Sequence, residues 1–600
     1  MKTDLTSLRD VFTTTYFNLQ PFYDEAKEVL NLYHNAQFSA EELQEFKDAG
    51  LEPESFNIIK AFSRMLIGYY SAIVTGFRAD PLKPQDAIVA DVLNDVLEHI
   101  LDDNEFDVLG EFIKFQGILT GLFIAKSEAQ IKQDMFGNPS MDMFGRKIVR
   151  ADIDKIDIFD IVFDTDSREA DFKDLEHIHY KKWLNKATLE AMFKEKSKDI
   201  QAYYDFTGTD STPDGVINSN KTFDWNINDK YLIVQSYVKN DKGTWELIIW
   251  HDQLELYRQE IEYMPFVMTY LERDTKGTIY GAFREIISAQ HNLNIALLKI
   301  AKYVNAEKVI VQETSVDDIK KFERDYKNLS KIAVVRTLAG IKIEKYNLEI
   351  QQQLMIADKA LDRIQFILGI NDSFLGQAFA SDSGRKVKLQ QNSSMMRLRY
   401  IDTKLNLFYK NLGLKLLELI RRYYKATQII ALTDNNIQKF LTINKPLTDR
   451  DGNLIIREAV DDKGIIMTDE NGKPIVEPVH DYHTDIRYAD VKLRVTSTNY
   501  LDEREQTQVA IETVMNGAIG QVMMSINPQG YLKMGSLLVD QMNFRNKTKV
   551  VDVLEQTAMM LQPQPQMQGA LAGRGSQQGY AQASADNRLP QTTQQEEGNV

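Results

Sequence analysis

Residues Gly384–Tyr424 read GRKVKLQQNSSMMRLRYIDTKLNLFYKNLGLKLLELIRRYY. From Arg385 onward no Gly interrupts until Gly413, and there is no Pro. Leu398, Ile401, Leu405, Phe408, Leu412, Leu416, Leu419 and Tyr423 recur at three- and four-residue steps, the apolar stripe of one helix. At about 1.5 Å per residue that helix is about 60 Å long, against the usual ~8–20 residues. Ahead of it, Asn371–Gly384 is rich in Gly, Ser, Ala and Asp and reads as a flexible loop. Earlier still, Ala282–Lys302 and Leu348–Leu368 read as helices. They enclose a short mixed segment, Glu307–Tyr346, with strand-like runs Lys308–Gln312 and Lys331–Arg336.

Outward from this block, the N-terminal part is helical. Asp24–His34, Glu41–Lys47, Phe56–Gly76, Ala87–Ile100 and Phe106–Leu122 carry helical periodicity, with Pro81 and Pro84 as breaks. Met135-Phe136-Gly137 and Met143-Phe144-Gly145 flank Asn138-Pro139 and read as a hairpin excursion with exposed Met and Phe. Such a tip is a packing pad or a partner contact. Strands are expected at Ile156–Phe163, Tyr231–Val238, Thr244–Trp250, Leu254–Gln259 and Phe266–Leu271, with Asn240-Asp241-Lys242-Gly243 as a hairpin turn. Lys186–Tyr203 reads as an inserted helix followed by a loop, Asp205–Asn220. After the long helix, Lys439–Leu447, Leu454–Ala459, Ile465–Thr468 and Ile475–Val479 suggest a meander, and Val491–Thr496 a last strand. Asp502–Met515, Tyr531–Val539 and Asn546–Leu561 read as helices. Gln562–Val600 is Gln, Gly, Ala, Ser, Pro and Asn, too poor in apolar area to offset its ordering entropy, and is expected to be disordered. The fold class is thus mixed α/β, dominated by helix.

Six hundred residues suffice for several domains. With no Cys there is no disulfide and no thiolate ligand or nucleophile, which fits a reducing cytoplasm. MKTDLTSLRD does not have the form of a signal peptide, and the apolar run Gly117–Ala125 is too short for a bilayer, so no membrane partner is expected. A formal charge of −16 argues against unspecific coating of nucleic acid.

Chemistry returns mostly negatives. Neither a GxxxxGK[ST] phosphate loop nor an HExxH pair occurs, so no cofactor is expected, and the missing phosphate cradle argues against an ATPase. His177 and His179 alternate on one strand face, an ordinary face rather than a zinc site. His480 and His483 lie near Asp481 and Asp485, a donor set that could ligate a metal but more simply forms a loop. Asp160, Asp164, Asp166, Glu169, Asp171 and Asp174 could hold metals for phosphodiester cleavage, yet they sit at a strand end, where Asp caps and turns the backbone and where calcium is also plausible. No catalytic or metal residue is assigned. The long helix is basic in an acidic chain: Arg385, Lys386, Lys388, Arg397, Arg399, Lys404, Lys410, Lys415, Arg421 and Arg422 stand against Asp402 and Glu418. Its charges are expected to pair with acids of the same or an adjacent subunit.

The order helix, small mixed module, helix, loop, very long helix resembles the portal protein (head-to-tail connector) of short-tailed tailed bacteriophages. The residues carrying the resemblance are YGAFREIISAQHNLN (Tyr280–Asn294), GINDSFLG (Gly369–Gly376), Ser383-Gly384 and IVFDTDSREADFKD (Ile161–Asp174). The resemblance implies a portal fold: an N-terminal wing over 1–278, stem helices at 279–306 and 347–370, and a clip at 307–346. It further implies a tunnel loop at 371–384, more wing at 385–500 and a helical crown at 501–561, ahead of the tail at 562–600. It implies a closed homo-oligomeric ring of about twelve subunits at one capsid vertex of the virion, assembled in the host cytoplasm. Double-stranded DNA is packaged and ejected through its channel. The large terminase subunit and then a tail adaptor dock on the clip, beside major capsid and scaffolding proteins. Such a ring does no covalent chemistry, and about 12 × −16 = −192 charges would repel a sliding polyanion. Candidate channel residues are Asp372, Gln377, Ser381, Ser383, Arg385, Lys386 and Lys388; candidate docking residues on a clip helix face are Asp317, Lys320, Lys321 and Arg324. Asp382 or Ser383 is expected to cap the long helix, whose first-turn cations call for an anion, a carboxylate or a DNA phosphate. Two rival readings are a metal-dependent nuclease using Asp160–Asp174 and another ring-forming phage structural protein.

Overall fold

The computed structural model describes residues 4–541 except 49–54, 201–224, 328–334, 370–383, 459–465, 500–510 and gaps of one to three residues, together with short helical pieces between 553 and 558. Two compact units divide the chain, Met1–Leu501 and Asp502–Val600.

In the first unit, helices α1 (Leu5–Asn18) and α2 (Gln20–Tyr33) come first, and Pro21 sits in the first turn of α2, where its missing N–H costs nothing. Helix α3 (Ala40–Asp48) begins with a reciprocal cap: Ser39 N–H donates to Glu42 at 2.7 Å and Glu42 N–H to Ser39 Oγ at 3.2 Å. Helix α4 (Ile58–Ser71) stops short of the expected Gly76, and strand β1 (Ile73–Pro81) follows instead. Helices α5 (Ala87–Asp103) and α6 (Phe106–Thr120) stand where the periodicity put them. The apolar run Gly117–Ala125 is split at Gly121 (φ +91°), which ends α6 and starts strand β2 (Leu122–Ile131), absent from the sequence reading.

Strand β3 (Val149–Lys155) pairs with β2. The expected strand Ile156–Phe163 is a 3-10 turn, Ile158–Asp160, and a short β4 (Ile161–Phe163). Strand β5 (His177–Asn185) leads into α7 (Lys186–Met192), capped by Asn185; the expected helix breaks after Met192, helical backbone resumes over 198–200, and 201–203 lie outside the described residues. Strands β6 (Lys230–Lys239), β7 (Trp245–His251) and β8 (Leu254–Ile261) continue an antiparallel sheet in the order β4-β5-β6-β7-β8, and a two-residue strand, Asn226–Ile227, also pairs with β6. Strand β9 (Phe266–Tyr270) pairs with the other edge of β2.

One turn recurs. An Asp or Asn accepts the amides two and four residues on and a Gly with positive φ closes the loop, at Asp134, Asp142, Asn240 and Asp274. The first two form the expected excursion between β2 and β3, with Phe136 82% exposed.

Strand β2 separates two cores because its faces alternate. Phe123 and Ala125 join α4, α5 and α6; Leu122 and Ile124 join α1, α2 and the sheet. Helix α8 (Ile287–Asn305) is followed by β10 (Glu307–Val311), α9 (Ile319–Lys327) and β11 (Ile341–Lys345), which pairs antiparallel with β10. Of the other strand-like run, Lys331–Arg336, residues 331–334 lie outside the described residues. Helix α10 (Asn347–Leu368) packs along α8. Helix α11 (Gly384–Tyr423) runs 40 residues, and Leu398, Ile401, Leu405, Phe408, Leu412, Leu416 and Leu419 are all buried in the first core. Strands β12 (Gln428–Asp434) and β13 (Ile437–Ile443) form a hairpin, and in the region of the expected meander Ile456–Glu458 pairs with Val476–Pro478, with antiparallel bridges at Thr448–Leu454 and Thr468–Pro474, while 459–465 lie outside the described residues. Strand β14 (Val491–Asn499) pairs with β1, Phe77 opposite Val495. This ribbon lies so close to α11 that a Cβ on Gly413 would stand 2.5 Å from Leu493, which explains a glycine within the helix.

In the second unit α12 (Ala518–Ile526) packs on α13 (Pro528–Gln541), and Asn527 caps the latter through Gly530 N–H at 2.9 Å. Helix α12 was not expected. Residues 501–510 and most of Asn546–Leu561, as well as the tail Gln562–Val600, lie outside the described residues. No helix among the described residues is long and apolar enough to cross a membrane.

Candidate functional site: the helix pair and the basic helix

The helix pair α8–α10 is rooted by the stretch Tyr280–Asn294. Gly281 lies against the end of α6, where a Cβ would stand 2.0 Å from Leu119 O, and Ala282 N–H donates to Ile118 O at 2.9 Å. Gly121 makes the reciprocal approach, its would-be Cβ 2.2 Å from Tyr280 O. Phe283 and Ile286 are fully buried. Arg284 donates to Glu25 Oε1 at 2.7 Å and to Asp274 Oδ2 at 3.0 Å, and stacks on the Tyr280 ring at 4.0 Å. Buried amides then run inward: Gln290 accepts from Ile58 N–H and donates to Phe56 O and Asn294, and Asn294 donates to Gln37 at 2.8 Å. Each polar group in this chain is satisfied, so the root is stiff.

The distal end carries the module β10–α9–β11. Asp318, expected on a helix face, precedes α9 and caps it, its Oδ1 accepting from Lys320 and Lys321 N–H at 2.9 and 3.2 Å. Asp317 also precedes α9 and pairs with Arg336. Arg324 lies 3.8 Å from Asp325, while Phe322 is buried and stacks with Tyr326. The face offered outward is Lys320, Lys321, Glu323 and Arg324.

The basic helix α11 divides. Toward its C-terminus the expected pairing is present within one chain: Lys415 bonds Glu418 at 2.8 Å, and Arg422 bonds Glu262 at 2.7 Å and Glu418 at 3.2 Å. Arg421 donates to Ala489 O, and Lys404 lies over the Tyr270 ring. Arg385, Lys386 and Lys388 have helical backbone in the first turns of α11, and their side chains lie outside the described residues. Asp372, Gln377, Ser381 and Ser383, with the whole loop to Ser383, also lie outside them, so the cap by Asp382 or Ser383 is not placed.

The acidic stretch Ile161–Asp174 is a turn held by its own carboxylates. Asp164 accepts from Asp166 N–H at 2.9 Å, and Asp174 accepts from Ser167 Oγ and Arg168 N–H at 2.5 Å each. Burial pushes the Asp174 carboxyl up, but these bonds outweigh it and hold it below the usual range. Arg273 donates to Thr165 O at 2.7 Å and to Ser167 O, while Asn411 of α11 donates to Asp171 at 3.2 Å. Among the described residues no three His, Asp or Glu side chains form a metal-holding group. His480 and Asp485 both meet the Arg487 guanidinium, at 2.9 and 2.8 Å, which makes that set an internal ion-pair network. His179 is fully buried and bonds Ser236 at 2.7 Å.

A model of the phage P22-like portal protein family matches residues 9–599. The chain belongs to that family. It is also 21% identical over 412 residues to the portal protein of Helicobacter pylori bacteriophage KHP30, an alignment spanning 66% of this chain and 63% of that relative. Portal proteins are a structural family and not an enzyme family. What sequence reasoning missed at the portal root is the buried Gln290–Asn294–Gln37 chain; the i, i+4 spacing of Gln290 and Asn294 was visible, their partner Gln37 was not.

Proposed function

We propose that this portal family member is the subunit of a closed ring at one capsid vertex, the conduit through which double-stranded DNA enters and leaves the head. In this reading α8 and α10 lie in the stem, residues 307–346 are the clip, 371–384 the tunnel loop, the two cores with α11 the wing, and 501–561 the crown. The large terminase subunit and later a tail adaptor dock on the clip, and scaffolding and major capsid proteins surround the wing.

The observation that carries the reading is the outer surface of the helix pair. Ile295, Val304 (61% exposed), Leu348, Met355 and Phe366 (74% exposed) point away from the α8–α10 contact of a single chain. Apolar side chains along an elongated, rigidly rooted pair call for neighbours on its flanks. Identical neighbours related by one rotation close into a ring. A nuclease acting through Asp160–Asp174 is not favoured, because Asp164 and Asp174 are consumed by backbone amides.

The channel role is tested by changing Arg385, Lys386 and Lys388 together to Gln. Heads carrying this variant should retain about tenfold less packaged DNA while rings persist. Rings that fall apart assign these cations to contacts between subunits, and unchanged rings with unchanged retention overturn the channel assignment.

A further inference from the structure

The far end of the module β10–α9–β11 carries two exposed aliphatic side chains on a fixed backbone. Leu338 opens a 3-10 turn, Leu338–Gly340, and is 79% exposed. Ile319, the first residue of α9, is 58% exposed. Each stands two residues after one partner of the Asp317–Arg336 ion pair, which ties their segments together. Single exposed aliphatics are common on protein surfaces. These two differ in being held. Gln312 N–H donates to Gly340 O at 2.8 Å, and Arg336 N–H donates to Ser315 O at 2.9 Å. Ser315 and Val316 are buried. A Cβ on Gly340 would stand 1.8 Å from Ser315 Oγ, so the turn lies directly on the segment before α9. A knob fixed before contact loses little freedom on binding.

Two considerations choose the occupant. The first is position. Residues 312–340 close the ribbon β10–β11 at the end away from α8 and α10. Copies turned about an axis along the helix pair meet at its flanks and leave that end open. The second is size. Two aliphatic side chains and one ion pair cover on the order of a few hundred Å², against about 1,200–2,000 Å² in a lasting complex. A patch of that size suits a partner that binds and leaves.

We propose that Leu338 and Ile319 anchor the large terminase subunit, seating in an apolar pocket of the motor whose polar rim meets the Asp317–Arg336 pair. The proposal rests on the reading of residues 307–346 as the clip.

The test uses rings of the full-length chain and the purified large terminase subunit. Leu338→Ala with Ile319→Ala should bind it about tenfold more weakly than wild type, with ring mass unchanged. The chain contains no Cys and Ala339 is exposed, so Ala339→Cys can carry one bulky maleimide-linked polyethylene glycol that blocks the clip end. If the block abolishes binding and the double variant binds like wild type, the anchor is overturned and the clip stands. Binding that survives the block fails the clip reading itself, and the anchor with it. Weakened binding of the tail adaptor alone overturns the choice of partner. Rings lost from the double variant assign both side chains to contacts between copies, which overturns the proposal as well.

Discussion

Gly281 shows how a single residue fixes the portal root. Its backbone lies where any side chain would strike Leu119 O. Gly281→Ala should destabilise the first unit by about 1–3 kcal/mol, read as a lowered thermal midpoint; an unchanged midpoint contradicts the close approach. The buried histidines give a pH-dependent counterpart. His179 packs edge-on to Phe12 and His177 bonds Thr15, both residues of α1. Burial lowers both imidazoles, for His179 with the His177 charge adding and for His177 with Asp164 and Glu176 opposing. A depressed folded-state value means the unfolded chain binds more protons once pH falls below the ordinary value of about 6.5. Stability is therefore full above pH ~6.5 and falls below it, by up to about 1.4 kcal/mol per pH unit per proton. Amide exchange in Leu5–Asn18, corrected for intrinsic rate, should accelerate from pH 7 to 5, and His179→Phe should flatten that rise. An acceleration unchanged by the substitution would place the proton elsewhere. The alternation of His177 and His179 was legible; that α1 covers them was not, because α1 has no strong apolar period of its own.

At the scale of elements, local order was readable and distant pairing was not. The 40-residue helix announced itself through its stripe from Leu398 to Tyr423, Gly413 included, yet the reason for Gly413 lies in Phe77 and Leu493. The first residues of β1, Ile73–Gly76, were read as helix because Ile73 continues the period of α4; only the pairing of β1 with β14, more than 400 residues away, makes them strand. In the distal module β10 pairs with Ile341–Lys345, the run that closes the module just before α10, a pairing that composition alone did not specify. The outward face of α9 gives a test at this scale. Reversing Lys320 and Lys321 to Glu should weaken binding of the terminase large subunit or tail adaptor about tenfold or more while ring mass stays unchanged, as measured by pull-down and native mass. Undiminished binding would move the docking surface off α9.

The first unit holds two large cores divided by β2, with a stiffly rooted helix pair carrying a small module at its far end. The candidate site was legible as an order of elements, since helix, module, helix and long helix follow one another without rearrangement. Its chemistry was less so: the basic helix promised partners in general, and the fold supplies Glu262, Glu418 and Tyr270 for its C-terminal half. On the proposed reading, the exposed apolar side chains of α8 and α10 face copies of the same chain. The most direct measurement is the native mass of the purified full-length chain at micromolar concentration and physiological salt. A closed ring near twelve subunits is predicted without DNA or any other protein present; a chain that remains monomeric or dimeric contradicts the account.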